Sequence, residues 1–180
     1  VLKEINKDLS SSNKMFRLLQ GDVGSGKTIV ALTTILNVIN SKFQAAFMAP
    51  TEILAQQHYN LAKKLLPDNI KIDILTSKTE NKIRKKIIND LENHQIDLLI
   101  GTHSLFQNKI NYKKLGLIVI DEQHKFGVKQ RKKLSDKGGK NCDILVMSAT
   151  PIPRTMIMTI FGDMDVSIIK SKPKNRKKIT

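Results

Sequence analysis

Only one cysteine, Cys142, occurs in 180 residues. A lone thiol excludes an internal disulfide, so a reducing cytoplasm is the expected compartment and core packing, just ahead of an apolar strand, the expected role. Histidine is scarce too. His58, His94, His103 and His124 share no ligand-like spacing with one another or with Cys142, which argues against a metal site built by the protein alone. No apolar run approaches the roughly 18 residues of a membrane span, and no charged-then-apolar leader opens the chain. The expectation is a soluble protein with no membrane partner. No segment repeats. Acidic residues are in deficit: 16 Asp and Glu stand against 31 Lys and Arg, a formal net charge of +15. Such a balance favours an anionic partner such as nucleic acid, although Lys-rich composition with much Ile and Asn also arises from biased genomes.

What the chain does have is concentrated between Leu18 and Ala31. The stretch reads as an apolar strand, a glycine-rich turn and a helix start. Within it Gly21, Asp22, Val23, Gly24, Ser25, Gly26, Lys27 and Thr28 fill the G-x-x-x-x-G-K-[ST] pattern. Glycines permit the positive φ angles and close backbone approach that wrapping a phosphate demands. The loop N–H groups and the positive end of the following helix would hold polyphosphate, with Lys27 on the β- and γ-phosphates and the Thr28 hydroxyl on Mg²⁺. A turn that merely joins a strand to a helix requires neither the Lys-Thr pair nor its place at a helix start. The pattern predicts a nucleotide site whose metal arrives with the nucleotide.

At 180 residues the chain has the size of one large α/β domain. Val1 or Leu2, Ile5 and Leu9 share a helical face that dissolves at Ser10 to Asn13, as though residues 1–13 were a truncated helix and linker leading in. After the phosphate loop, Ile29, Val30, Leu32, Ile35, Leu36 and Ile39 predict an apolar helix buried on more than one face. Ala45 to Ala49 predicts a strand, Glu52 to Leu66 an amphipathic helix, Ile70 to Leu75 a half-buried strand, and Asn81 to Asn93 a basic helix carrying Lys82, Arg84, Lys85 and Lys86 on a solvated face. Asp97 to Ile100, Leu117 to Ile120 and Ile144 to Met147 predict buried strands. The segment 170–180 is Lys-rich and reads as a basic linker leading elsewhere, which leaves 14–169 as the domain proper.

Each buried strand delivers small or polar side chains at its carboxyl end: Gly101-Thr102-His103, Asp121-Glu122-Gln123-His124 and Ser148-Ala149-Thr150. Open parallel sheets build their sites there. In P-loop enzymes the first of two acids after such a strand helps hold Mg²⁺, and its neighbour orients or deprotonates the water that attacks the γ-phosphate. Asp121 and Glu122 fit those positions. Two acids capping a helix would look the same in isolation, but not downstream of Gly21 to Thr28.

Together, Gly21 to Thr28, Ala49-Pro50-Thr51-Glu52, Gly101-Thr102-His103, Asp121-Glu122-Gln123-His124 and Ser148-Ala149-Thr150 resemble the ordered motifs of superfamily 2 DExH helicases. Leu54-Ala55-Gln56-Gln57-His58, Phe126 to Arg131 and Pro151 to Thr155 look like the RecG branch, ATP-dependent DNA helicases that remodel stalled forks. The likeness covers nearly everything from about Met15 onward. It implies that Lys27, Asp121 and Glu122 are catalytic, that Thr28 and Asp121 hold Mg²⁺, and that Gln123, His124, Ser148 and Thr150 couple nucleotide state to DNA grip. It further implies that Thr51, Ser77 and Thr102 touch the DNA backbone, as hydroxyls reading phosphate without reading bases. The family usually places Gly between the residues matched by Thr76 and Ser77, and this chain does not.

The expected architecture is therefore a RecA-like P-loop α/β domain, a mostly parallel sheet with helices on both faces. The expected role is the first motor domain of a RecG-like helicase acting on branched or forked DNA in recombination and repair, beside a second RecA-like domain and a wedge domain. Alternatives are a transcription-repair coupling translocase of the Mfd type, which shares Phe-Gly-Val and Pro-Ile-Pro-Arg-Thr but typically has Glu where Gln123 stands, a nucleotide-gated DNA-binding module without turnover, and a basic DNA-binding protein with a vestigial nucleotide site.

Overall fold

In a computed structural model, residues 1–106, 110–121, 142–150 and 164–170 are described. In chain order they form α1 (Leu2–Leu9), β1 (Phe16–Gly21), α2 (Lys27–Asn40), β2 (Gln44–Met48), α3 (Glu52–Leu65), β3 (Ile72–Leu75), α4 (Asn81–Glu92), β4 (Leu98–Gly101), a 3₁₀ turn (His103–Phe106), β5 (Leu115–Ile120), β6 (Asp143–Ser148) and β7 (Asp165–Ile169).

The apolar runs of β2, β4 and β5 are buried throughout, as strands covered on both faces must be. The seven strands form one sheet in the order β3-β4-β2-β5-β6-β1-β7, with every pairing parallel. Alternation along the strands sends Leu19, Phe47, Ile100, Val119 and Met147 to one face, where they pack with Ile5 of α1, Ile35 of α2 and Ala55 and Ala62 of α3. Leu18, Met48, Leu99, Ile118 and Val146 go to the other, against Ile87 and Leu91 of α4. Parallel register aligns the carboxyl ends: Gln20 lies opposite Ser148, and Met48 opposite both Gly101 and Ile120. The side chains that end these strands consequently share one edge of the sheet.

Several expectations are refined. α2 buries one broad face, through Ala31, Leu32, Thr34, Ile35, Val38 and Ile39, and is not covered all round: Ile29 is 48% exposed, because the helix lies on a single face of the sheet with solvent beyond it. α1 is an ordered helix, with Ile5 fully buried and Val1 and Leu9 packed on the core while Leu2 is exposed. The basic face of α4 is solvated, as expected, with only Ile87 and Leu91 buried. Cys142 is fully buried, also as expected.

β7 is not foreseen by the periodicity. It pairs with β1, and its inward residue is Ser167, whose hydroxyl accepts from Arg17 Nη1 at 2.9 Å and donates to Glu4. Arg17 Nε donates to Asp8 at 2.6 Å, and the guanidinium also lies 3.6 Å from Asp165. One nearly buried arginine thus ties α1, β1 and β7 together, its charge matched by carboxylates as burial requires. The Ser167 hydrogen bond, and less so the nearby cations, hold the Glu4 carboxyl below its ordinary range.

Candidate functional site

At the end of β1 the chain turns through Gly21 to Gly26 into α2. Ser25 N–H bonds Asp22 O at 3.1 Å, and Gly24 and Gly26 have φ values of 78° and 92°, the left-handed conformation that side chains resist. Gly21 has a different reason to be glycine: a Cβ there would sit 2.6 Å from Ser25 Oγ. The positive φ angles therefore belong to Gly24 and Gly26, and the close approach belongs to Gly21. Lys27, first residue of α2, folds back so that Nζ donates to Gly21 O at 2.7 Å and Asp22 O at 2.9 Å. No side chain caps the N-terminus of α2, and Ser25 Oγ is buried without a hydrogen-bond partner among the described residues. An ammonium, an uncapped helix start carrying positive partial charge, and a buried hydroxyl needing a partner form a donor-rich cradle suited to a polyphosphate. Thr28 stands half-buried beside them on the first turn.

Asp121 follows β5, its N–H bonded to Met48 O of β2 at 2.9 Å. In the strand order, β5 lies two positions from β1, or roughly 10 Å at ordinary strand spacing, so Asp121 sits at the same edge of the sheet as the loop. Asp121 is 8% exposed, and its Oδ2 lies 2.7 Å from His58 Nε2 of α3. The strand between them, β6, ends in a tight turn in which Ser148 Oγ donates to Thr150 O at 3.1 Å and accepts from Thr150 N at 3.3 Å. Gln20 Nε2, the last side chain before the loop, donates to the same carbonyl at 3.0 Å. Ser148 and Thr150 are thereby joined to the strand that carries the phosphate loop.

Along the same edge toward β3, Thr51 is the N-cap of α3, with Oγ1 accepting from Leu54 N at 3.3 Å. Ser77 follows β3, and its hydroxyl donates to Glu52, beside Thr51; Lys78 Nζ lies 3.4 Å from the other Glu52 oxygen. Ser77 first, against some desolvation, and then Lys78 set the Glu52 carboxyl below its ordinary range. Arg84 of α4 donates to Thr76 O at 2.8 Å and fixes the turn from below. Thr102 starts the 3₁₀ turn, its carbonyl accepting from Leu105 N at 3.1 Å; just before it, Gly101 is so close to β3 that a Cβ would meet Leu75 O at 2.1 Å. Thr51, Ser77 and Thr102 accordingly follow β2, β3 and β4, three neighbouring strands.

Gly21 to Thr28, Asp121, Ser148 and Thr150 occupy one stretch of the edge, and Thr51, Ser77 and Thr102 the adjoining one. Glu122, Gln123 and His124 lie outside the described residues, as do the motifs Phe126 to Arg131 and Pro151 to Thr155 and the tail beyond Lys170. Among the described residues no three His, Cys, Asp or Glu side chains gather as a metal cage, and no helix is long and apolar enough to cross a membrane. Two residues make contacts for which the sequence reading gives them no role: His58, placed there within the Leu54 to His58 motif, and Gln20. Each is a polar residue on an apolar face: His58 lies on the buried stripe with Ala55 and Ala62, and Gln20 in the run Leu18-Leu19-Gln20. That misplacement was the available signal.

A parallel sheet with a phosphate-loop cradle, a carboxylate two strands away and hydroxyls along the adjoining strand ends is the arrangement of a RecA-like P-loop domain. The DEAD/DEAH box helicase family model matches residues 3–159, and the chain belongs to that family. Within it, the chain is 50% identical over 180 residues to the ATP-dependent DNA helicase RecG of Bacillus subtilis, a match covering 99% of this chain and 26% of that protein. It is 51% identical over 178 residues to RecG of Thermotoga maritima, covering 98% and 23%. The solved structure of RecG bound to a three-way DNA junction superposes with a TM-score of 0.84 at 46% identity, covering 98% of this chain and 24% of that one. A DEAD box protein from Methanococcus jannaschii shares the fold, with a TM-score of 0.69 at 22% identity over 93% of this chain and 47% of its own. The chain spans about a quarter of the length of the curated RecG relatives it matches. These relatives favour the RecG branch over the transcription-repair coupling alternative.

Proposed function

We propose that this chain is the first motor domain of a RecG-like helicase, binding ATP with Mg²⁺ and coupling its hydrolysis to the remodelling of branched DNA in recombination and repair, in the cytoplasm. The observation that carries this reading is the Lys27 ammonium, held over the carbonyls of Gly21 and Asp22 beside an uncapped helix start, on the same sheet edge as Asp121.

Bound MgATP supplies the phosphoanhydride bond and the metal that neutralises its oxygens. The chain's own residues do the rest. Lys27 Nζ exchanges the two loop carbonyls for β- and γ-phosphate oxygens, and the N–H groups of Gly21 to Thr28 donate to the phosphates. Thr28 Oγ1 and the Asp121 carboxylate hold Mg²⁺. Glu122, adjacent in sequence, takes the proton of the attacking water. Thr51, Ser77 and Thr102 bind the DNA backbone, and Gln123, His124, Ser148 and Thr150 pass the nucleotide state to that grip, Ser148 and Thr150 through their link to Gln20. Residues 14–169 form the motor core with α1 docked on it; a second RecA-like domain and a fork-binding wedge domain, the partners that the resemblance implies, complete the machine.

A fluorescent-nucleotide titration tests the core of this reading. Lys27→Ala removes a charge-assisted donor worth about 1.5–3 kcal/mol and is expected to weaken ATP and ADP binding about 10- to 100-fold. Equal affinity for parent and variant would remove the assignment.

A further inference from the structure

His58 falls in the Leu54 to His58 motif but is given no role by it, yet among the described residues it makes a close side-chain contact to the carboxylate. Its Nε2 lies 2.7 Å from Asp121 Oδ2, and both residues are 8% exposed. A carboxylate offers only acceptors, so Nε2 carries the hydrogen and donates. The imidazole is in turn held by Phe47 of β2, ring centroids 4.5 Å apart and planes inclined at 43°. Its backbone belongs to α3, where Ala55 and Ala62, one turn before and one after, are fully buried against the sheet. Asp121 is consequently fixed twice, its N–H on Met48 O of β2 and its carboxylate on α3.

We propose that His58 is a positioning residue that locks the Asp121 carboxylate in the orientation needed to hold the nucleotide's Mg²⁺, a role that rests on the nucleotide-site reading above. Two observations separate it from simple core packing. An apolar side chain would fill the space beside Phe47 without leaving a polar ring in the interior, and a buried ring nitrogen is accommodated only because it meets the carboxylate. Moreover the contact joins elements 63 residues apart, at the one strand end that carries the carboxylate of the site. α3 gives that contact a rigid base: its first turn is capped by Thr51 and its carboxyl half is buried through Ala62, so the imidazole has little freedom to follow a wandering carboxylate.

Outer-shell partners of a metal-holding carboxylate act on metal affinity through geometry, typically by about 10- to 100-fold. Binding of a fluorescent ADP analogue, titrated with Mg²⁺ and repeated in EDTA, separates metal coupling from nucleotide affinity and from folding. His58→Leu keeps apolar bulk but has no donor. It is expected to raise the Mg²⁺ midpoint about 10-fold while leaving the EDTA affinity within about twofold of the parent. His58→Gln, whose Nε2 can reach the same carboxylate oxygen, is expected to restore most of the midpoint. An unchanged Mg²⁺ midpoint in His58→Leu, an equal loss with and without Mg²⁺, or a His58→Gln variant no better than His58→Leu would each overturn the role. Lys27→Ala, run alongside, keeps the two readings apart. If it binds like the parent, the nucleotide site itself is lost; if it fails to bind while His58→Leu leaves the midpoint in place, only the role of His58 is lost.

Discussion

At the scale of single residues, the loop chemistry follows from which atoms have partners and which do not. Lys27 satisfies two loop carbonyls, whereas Ser25 Oγ is buried without a partner among the described residues, so the loop carries both a bound cation and an unmet hydroxyl. Lys27 and the glycines were legible from the pattern alone, because a phosphate loop is a local structure of eight consecutive residues. His58 and Gln20 were not, since their partners lie 63 and 130 residues away and no local period reports such a pairing. The role of Cys142 was legible from its place ahead of an apolar strand. Its thiol is fully buried and weakly bonded to Asp143 O at 3.6 Å, and burial, only partly offset by Lys14, pushes its pKa up to about 12. The thiolate is the reactive form, so the native protein is expected to resist alkylation at pH 8 and to become labelled only as it unfolds. Labelling followed through a denaturant titration checks this. Rapid stoichiometric reaction of the native protein would contradict the burial.

At the scale of elements, most boundaries were readable because hydrophobic spacing and capping agree. Thr51 before the Glu52 helix and the uninterrupted aliphatics of Leu117 to Ile120 are examples. β7 was not, because its one buried residue is polar: Ser167 has 1% exposure while Ile168 is 53% exposed, and Val166 and Ile169 are only partly buried. A polar residue can face in there only because Arg17 and Glu4 receive it, and neither is near it in sequence. α3 carries two duties, since its cap is also a proposed DNA contact. Thr51→Ala removes the oxygen that accepts from Leu54 N–H and is expected to lower stability by about 1 kcal/mol. It is also expected to weaken DNA binding, whereas Thr51→Ser, which keeps the oxygen, should retain both. Denaturant unfolding and a DNA titration on the same two variants check this. Unaltered DNA affinity in Thr51→Ala would remove Thr51 from the interface.

At the scale of the whole molecule, seven parallel strands ending on one side bring the loop after β1 and the hydroxyls after β2, β3 and β4 to a single edge, the edge proposed above to bind phosphate. The fold class was legible because each buried run ends in polar or small residues, a pattern specific to parallel sheets. The central claim is that this edge is half of a motor. Neither of the two described arginines is spare: Arg17 is bound to Asp8 and Ser167, and Arg84 to Thr76 O, so neither is placed to meet charge developing on a γ-phosphate. An arginine supplied from a separate domain is worth about 10³ to 10⁵ in rate in related phosphoryl transfers. The most direct test is phosphate release from ATP by the 180-residue chain, with and without branched DNA, and again with the second motor domain restored. The account predicts nucleotide binding with negligible release in the first two cases, and turnover higher by orders of magnitude in the third, abolished by Glu122→Gln. Robust DNA-stimulated release by this chain alone would contradict it.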